Sequence, residues 1–406
     1  MTSEWVERSL GDLISLQRGH DLPAGKRKPG TVPIMGSAGI TGYHDEATTS
    51  GPGVVIGRSG VGSMGVVSFI DRDYWALNTS LYVTDFRGND VKFIYYLLST
   101  VNFRQFDTGS AQASLNRNLV YPHHVKVPPS VVEQKAIAQT LSAIDGRIEL
   151  LRKTNLTLEA IAQTLFKSWF VDYDPVRAKQ EGRELEGVSV ATGSLFPNEF
   201  AESELGLIPR GWSVGVLGDV LSLRVERTKP NAETRSLPYV PIESIGTRNP
   251  FLEEFKSGEF ANSSLTLFRR GDILFGAMRP YFHKVCVAPF DGVTRTTVFV
   301  LSPVKDDVQA FSLFRAFEQS TVDFATQHSE GSTIPYAKWR GSFELMPIVV
   351  PPEPVQRAFN DVVSSHIQLA NSNIKQILVL KELRDTLLPR LISGQLRLPE
   401  AEALVC

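Results

Sequence analysis

The sequence predicts an α+β protein of two similar globular units and two long helices that pack antiparallel as a coiled coil. Three observations carry this. First, the chain repeats itself: Trp5, Leu10-Gly11-Asp12 and Ser15-Leu16 return as Trp212, Leu217-Gly218-Asp219 and Ser222-Leu223, and Val127-Pro128-Pro129 returns as Val350-Pro351-Pro352. Second, short β-rich runs broken by Gly, Asn and Asp fill the space between these landmarks. Third, a long apolar stripe at helical spacing follows each Pro pair. A repeat of roughly 170–200 residues is too long for a solenoid, so the repeating unit is a domain plus a helix.

Residues 1–130 form the first globular unit, with strands expected at Gly53–Ile56, Val66–Phe69 and Leu81–Val83 and a helix over Val91–Phe106. In residues 131–170, Ile137, Leu141, Ile144, Ile148, Leu151, Asn155, Leu158, Ala162, Leu165 and Trp169 keep an unbroken 4-3 spacing, which predicts a coiled-coil seam. Residues 171–211 read as a connector, broken by Pro175, Gly182, Gly187, Pro197 and Pro209 among others. Residues 212–353 repeat the globular plan, with strands at Gly271–Phe275 and Thr297–Leu301 and a helix near Gln309–Phe324. Residues 354–393 form the second long helix, interrupted by His366, Asn373 and Arg384, and 394–406 a tail. Each helix spans on the order of 50–60 Å at about 1.5 Å per residue. An antiparallel pair places the two units at opposite ends. Asn155 and Asn373, near mid-stripe, either pair to set the helix register or sit at a part-exposed seam edge.

Hydrophobic content of 42% and charged content of 21% are ordinary for a soluble protein. No apolar run approaches the roughly 20 residues of a membrane span, and no signal pattern opens the chain, so a cytoplasmic location is expected. Cys286 and Cys406 have neither metal-ligand spacing nor a disulfide framework. Residues 1–130 carry 12 Lys+Arg against 11 Asp+Glu, and 212–352 carry 15 against 15, while 171–211 carry 4 against 8. The net charge of −2 therefore hides two near-neutral units and an acidic connector.

The motif search finds no chemistry. Gly60-Val61-Gly62-Ser63-Met64-Gly65 fits a dinucleotide fingerprint, but Val66-Val67-Ser68-Phe69-Ile70 continues as strand where the fingerprint needs a helix. Asn249-Pro250-Phe251 lacks the second proline of an adenine-methylation motif. His123 and His124 point to opposite faces of a strand and cannot share a metal.

What remains are polar loops suited to bases. Arg58 and Ser59 sit in a Gly-flanked loop, and Gln112, Ser114, Asn116 and Arg117 follow in the same unit. The second unit offers Arg279, Tyr281, His283 and Lys284, then Ser332, Lys338 and Arg340. Gln and Asn match adenine, Arg matches guanine, and Ser serves a base or a phosphate. The plainer reading is that these are ordinary solvated loops.

The layout resembles the specificity subunit of type I restriction-modification systems over essentially the whole chain. The residues that carry the resemblance are Ser168-Trp169-Phe170-Val171-Asp172-Tyr173-Asp174-Pro175-Val176-Arg177-Ala178-Lys179, Leu195-Phe196-Pro197, Gly206-Leu207-Ile208-Pro209-Arg210-Gly211-Trp212, and the junction Pro128-Pro129 with Gln134 and Ile137. The second junction departs, with Gln356 one residue early after Pro351-Pro352, which puts its helix start in question.

The resemblance implies target recognition domains, each reading one half of a bipartite, asymmetric double-stranded DNA sequence, and helices that set the gap. It implies two methyltransferase subunits that bring S-adenosylmethionine, restriction subunits that bring ATP and Mg chemistry, and no catalysis, cofactor or metal in this chain. Phe166, Trp169 and Phe170 are then either a docking face for partners or packing against the second helix. The alternatives are a self-contained DNA-modifying enzyme of unfamiliar type, such as a methyltransferase or nuclease, and a coiled-coil scaffold without DNA contact. The two offsets, 207 at the Trp motif and 223 at the Pro pair, place about 16 extra residues in the second unit and predict half-sites of different sequence.

Overall fold

The computed structural model describes residues 4–60, 62–107, 114–183, 187–331, 333–398 and 400. They fall into two compact units: residues 1–149 with 378–406, and residues 150–377.

In the first unit a four-stranded antiparallel sheet runs in the order β1 (Ser15–Arg18), β4 (Ser80–Asp85), β2 (Gly53–Gly57) and β3 (Val67–Ile70). Val54, Val55 and Ile56 on the central β2 are all at most 1% exposed, as expected of a strand covered on both faces. A three-stranded sheet of Val32–Gly36, Gly39–His44 and Trp75–Ala76 lies in the same unit. The helix expected over Val91–Phe106 is shorter, Val91–Ser99, capped by Asp90 at its start. Asn102 then restarts the chain as a 3-10 turn over Phe103–Phe106, because its side chain accepts from the Arg104 N–H.

The helix α1 (Val131–Phe170) begins in this unit. The second unit holds β5 (Leu221–Leu223), β6 (Ile273–Gly276), β7 (Val285–Val287) and β8 (Val298–Pro303) in the order β5-β8-β6-β7, again antiparallel throughout. This is the same sheet as β1-β4-β2-β3. A five-stranded sheet stands beside it where the first unit has three strands. Pairing registers locate the extra residues. The offset between equivalent positions is 207 at Leu16 and Leu223 but already 219 at Gly57 and Gly276. Most of the insertion therefore precedes β6.

The helix expected over Gln309–Phe324 is two helices, Gln309–Phe317 and Gln319–Gln327. Glu318 between them is extended, and its carboxylate accepts from the Ser320 N–H and from the buried Arg315. A cap at Glu318 replaces one turn of continuous helix. The connector also carries structure: a helix at Asp174–Gln180 and a hairpin of Phe200–Ser203 with Gly206–Pro209, with Val176, Ala178 and Phe196 buried.

The repeated Leu-Gly-Asp has a local reason. Asp12 Oδ2 accepts from the Ser9 N–H at 3.3 Å, and Asp219 Oδ2 accepts from the Val216 N–H at 2.8 Å, each closing the first turn after a strand. Leu10 and Leu217 are fully buried. The Trp of each motif packs against the end of a long helix. An added Cβ on Gly394, just past α2 (Glu353–Ile392), would meet Trp5 at 2.7 Å, and Trp212 lies 6.0 Å from Phe170 at the end of α1.

Within each unit the helices run antiparallel. In the second, Asn155 meets Asn373 and Phe166 meets Phe359; in the first, Asp145 meets Arg384 and Glu133 meets Arg397. Gln134 and Gln356 are both the fourth residue of their helix, and each donates to the carbonyl of the first proline of its pair, Pro128 at 3.1 Å and Pro351 at 2.7 Å. The early Gln in the second junction reflects an earlier helix start, so the contact is conserved between the halves. Phe166, Trp169 and Phe170 are at most 6% exposed and pack on Phe359, which settles them as core.

Among the described residues no helix is long and apolar enough to cross a membrane.

Candidate nucleic-acid interface

The two units present the same loop constellation. After β2, the N–H groups of Arg58 and Ser59 donate to Thr79 O at 2.9 and 3.2 Å, and the Leu115 N–H donates to Arg58 O at 2.8 Å. After β6, the N–H groups of Ala277 and Met278 donate to Thr297 O at 3.0 and 3.3 Å, and the Ala337 N–H donates to Ala277 O at 2.8 Å. These bonds fasten two segments far apart in sequence at the end of one central strand. Backbone bonds of this kind are indifferent to side chains, so the side chains there are free to differ.

In the first unit the constellation opens into a pocket of about 540 Å³ lined by Gln17, Arg18, Arg58, Ser114, Asn116 and Arg117, with no carboxylate among the described lining residues. Arg117 Nη1 donates to Leu16 O at 2.8 Å and Arg18 Nε to Asn78 O at 3.4 Å, so both guanidinium groups are held in place. Arg58 makes no side-chain hydrogen bond or ion pair among the described residues. Asn116 Oδ1 accepts from the Asn118 N–H at 3.0 Å, leaving its amide hydrogens to donate elsewhere. Ser59 sits beside Ser114 through an antiparallel bridge. Gln112 lies outside the described residues.

In the second unit the equivalent pocket, about 310 Å³, is lined by Arg224, Arg227, Glu330, Tyr336, Lys338 and Arg340 among others. Lys338 Nζ lies 3.7 Å from Glu330, and the Tyr336 hydroxyl donates to Thr296 O. Arg224 is committed: Nε and Nη2 donate to Asp272 at 2.8 and 3.1 Å and Nη1 to Glu226 at 2.8 Å. Those bonds, to Asp272 first, hold its guanidinium even more firmly protonated than usual. Near-neutral totals thus conceal two basic pockets, the first without a counter-charge among its described lining residues.

Two residues expected to read bases belong instead to the fold. His283 is 3% exposed, and its Nε2 donates to Phe317 O at 2.7 Å. Burial pushes its pKa down, so the ring is neutral. Lys284 Nζ donates to Ile242 O at 3.0 Å and Ile245 O at 2.6 Å, closing a 3-10 turn. Both were signalled only by residue type; burial holds His283 inside, and bonds to backbone carbonyls commit the half-buried Lys284. Tyr281 stays 51% exposed, its ring tilted against Phe282 with centroids 4.8 Å apart. Ser332 lies outside the described residues. Gln17, Arg18, Arg224 and Arg227 join the pockets without having been singled out. Their signal was the polar run that follows Ser15-Leu16 and Ser222-Leu223 in both copies.

Arg279 and His283 have left-handed backbones, φ +52° and +50°. The positions they match in the first unit, Gly60 and Gly65, also have positive φ, +113° and +82°. A residue with a Cβ in that region costs about 1–2 kcal/mol where glycine costs almost nothing.

On the long helices, Asn373 Nδ2 donates to Asn155 Oδ1 at 2.8 Å and Asn155 Nδ2 donates to Ala370 O at 3.3 Å, both side chains 4% exposed. Among the described residues no group of three or more His, Cys, Asp or Glu could hold a metal ion.

Comparison with known proteins agrees with this architecture. Residues 2–160 match the type I restriction modification DNA specificity domain. The MjaIX specificity subunit of Methanocaldococcus jannaschii is 28% identical, over 76% of this chain and 70% of that protein. The HindI specificity subunit of Haemophilus influenzae is 25% identical, over 80% and 82%. The EcoDI specificity subunit of Escherichia coli is 23% identical, over 97% and 92%. The crystal structure of a type I S subunit from M. genitalium shares the fold at TM-score 0.63 and 18% identity, covering 96% of both chains. Residues 2–160 thus carry the match to the type I restriction modification DNA specificity domain, and most of the chain is similar to specificity subunits of type I restriction enzymes.

Proposed function

We propose that residues 1–130 and 212–353 are separate target recognition domains, each reading one half of a bipartite asymmetric double-stranded DNA site. The observation that supports this is the paired constellation: the same backbone bonds around Arg58 and Ala277 carry different side chains, a common scaffold with two vocabularies. Arg58, Ser59, Gln112, Ser114, Asn116 and Arg117 would serve one half-site. Arg279, Tyr281, Ser332, Lys338 and Arg340 would serve the other, with His283 and Lys284 supporting them from inside. The helices at 131–170 and 354–393 set the gap, and the Asn155–Asn373 pair sets their register. The connector at 171–211 joins the first helix to the second domain, and residues 394–406 form the tail.

Two methyltransferase subunits dock on this frame, with restriction subunits outside them, in the cytoplasm. S-adenosylmethionine, ATP and Mg belong to those partners. Modest basic pockets on near-neutral domains suit a subunit whose partners share the phosphate contacts.

The test is the methylome of cells carrying the complex. Exchanging residues 1–130 for the matching domain of a relative should change one half-site only, and a change in both sinks the two-reader model. A four-residue insertion near Thr154 should alter the gap and neither half-sequence. Asn155→Leu with Asn373→Leu should loosen the gap to more than one length. An unchanged single gap would remove the register role.

A further inference from the structure

We infer that the Arg279 guanidinium contacts DNA directly in the half-site read by the second domain, and that the fold carries a strained backbone to present it. The inference rests on the DNA-reading role proposed above. Arg279 stands where the first domain has Gly60, three residues beyond the matched pair Gly57 and Gly276, whose flanking hydrogen bonds are the same. The turn can therefore be built with glycine, and with less strain. The second domain keeps arginine there at φ +52°.

Nothing among the described residues explains the choice. Among the described residues the guanidinium forms no hydrogen bond or ion pair, and its Nε is buried without a partner. Its backbone N–H is tied to Pro335 O at 2.7 Å, which fixes the side chain's origin beside the Tyr336–Arg340 segment. A buried Nε and a left-handed backbone both lower stability, and strained residues of this kind persist where the side chain has work outside the fold. An unpaired guanidinium whose backbone is fixed beside that segment suits an anionic or guanine-bearing ligand, and DNA offers both as phosphate and base edge.

The experiment uses the full chain assembled with its methyltransferase subunits and compares wild type with Arg279→Gly and Arg279→Lys. Arg279→Gly should leave the Tm of the chain unchanged or raise it by up to about 4 °C, because glycine relieves the turn. Recognition should nevertheless fail. If the contact is to phosphate, affinity falls about tenfold on every sequence and the salt slope drops by about 1. If it is to a base, one position in that half-site relaxes in the methylome and the other half-site is untouched. Arg279→Lys should keep a phosphate contact and lose a base contact. A lowered Tm in Arg279→Gly would make Arg279 a structural residue and overturn the inference, as would unchanged affinity, salt slope and motif. The wild-type methylome stands apart: if it shows no bipartite site, the DNA-reading role itself fails.

Discussion

The two globular units are built on the same sheet plan and differ in what stiffens it. At the start of β2 the first unit has Gly53, where an added Cβ would lie 2.5 Å from the Tyr74 hydroxyl. The matching position at the head of β6 is Asp272, 3% exposed, which accepts from Arg224 Nε at 2.8 Å, the Arg269 N–H at 2.8 Å and Ser302 Oγ at 2.7 Å. One copy packs a tyrosine ring against a glycine, and the other buries a carboxylate and feeds it donors. The helix seams differ likewise. Phe359 touches Phe166, Trp169, Phe170 and Phe314 with ring centroids 5.2–6.2 Å apart, whereas its counterpart is the aliphatic Ile137. The lesson is that duplicated domains conserve backbone hydrogen bonds and let side-chain solutions drift, provided each solution is complete.

Three perturbations sharpen that contrast. Phe359→Ala should destabilise the second unit by about 4 kcal/mol, since it opens a cavity among aromatic rings. Ile137→Ala in the first unit should cost about 3 kcal/mol. Denaturant unfolding compares the two, and a greater loss at Ile137 would show that the aromatic cluster adds nothing to its seam. Asp272→Ala comes next, at about 3 kcal/mol, because Arg224 is then left half-buried without its main partner. The position matching Asp272 in the first unit is Gly53, which has no side chain to build such a network, so hydrogen exchange should show the loss in residues 212–350. Protection lost evenly across both units would mean that the two are energetically one.

The smallest effect is a pH slope. Burial pushes the Glu159 carboxyl on α1 up to about 7 from an ordinary 4.5. Between those values the folded chain holds a proton that the unfolded chain releases, so stability falls as pH rises through this window. Glu159→Gln removes that slope while keeping an acceptor for Gln163, and its Tm should drop about 1–2 °C less than wild type between pH 5 and pH 7.5. Identical slopes would show that Glu159 ionises freely in the fold.

The sequence by itself determined the duplication, the α+β class and both long helices. Repeats survive as identical letters, and a heptad stripe reports burial directly in its spacing. It also marked the loops at Arg58 and Asn116 as polar reading material. Tertiary structure decided the rest. It joined Arg58 to Leu115 and Ala277 to Ala337 by backbone hydrogen bonds, which no side-chain pattern announces. It turned His283 and Lys284 inward, because carbonyls of Phe317, Ile242 and Ile245 from distant segments meet them there. It split the expected helix at Glu318 through a cap that depends on a buried Arg315. Local pattern reveals which elements form and which face is apolar. Which polar group finds a partner depends on residues far apart in the chain, and only the folded arrangement brings them within reach.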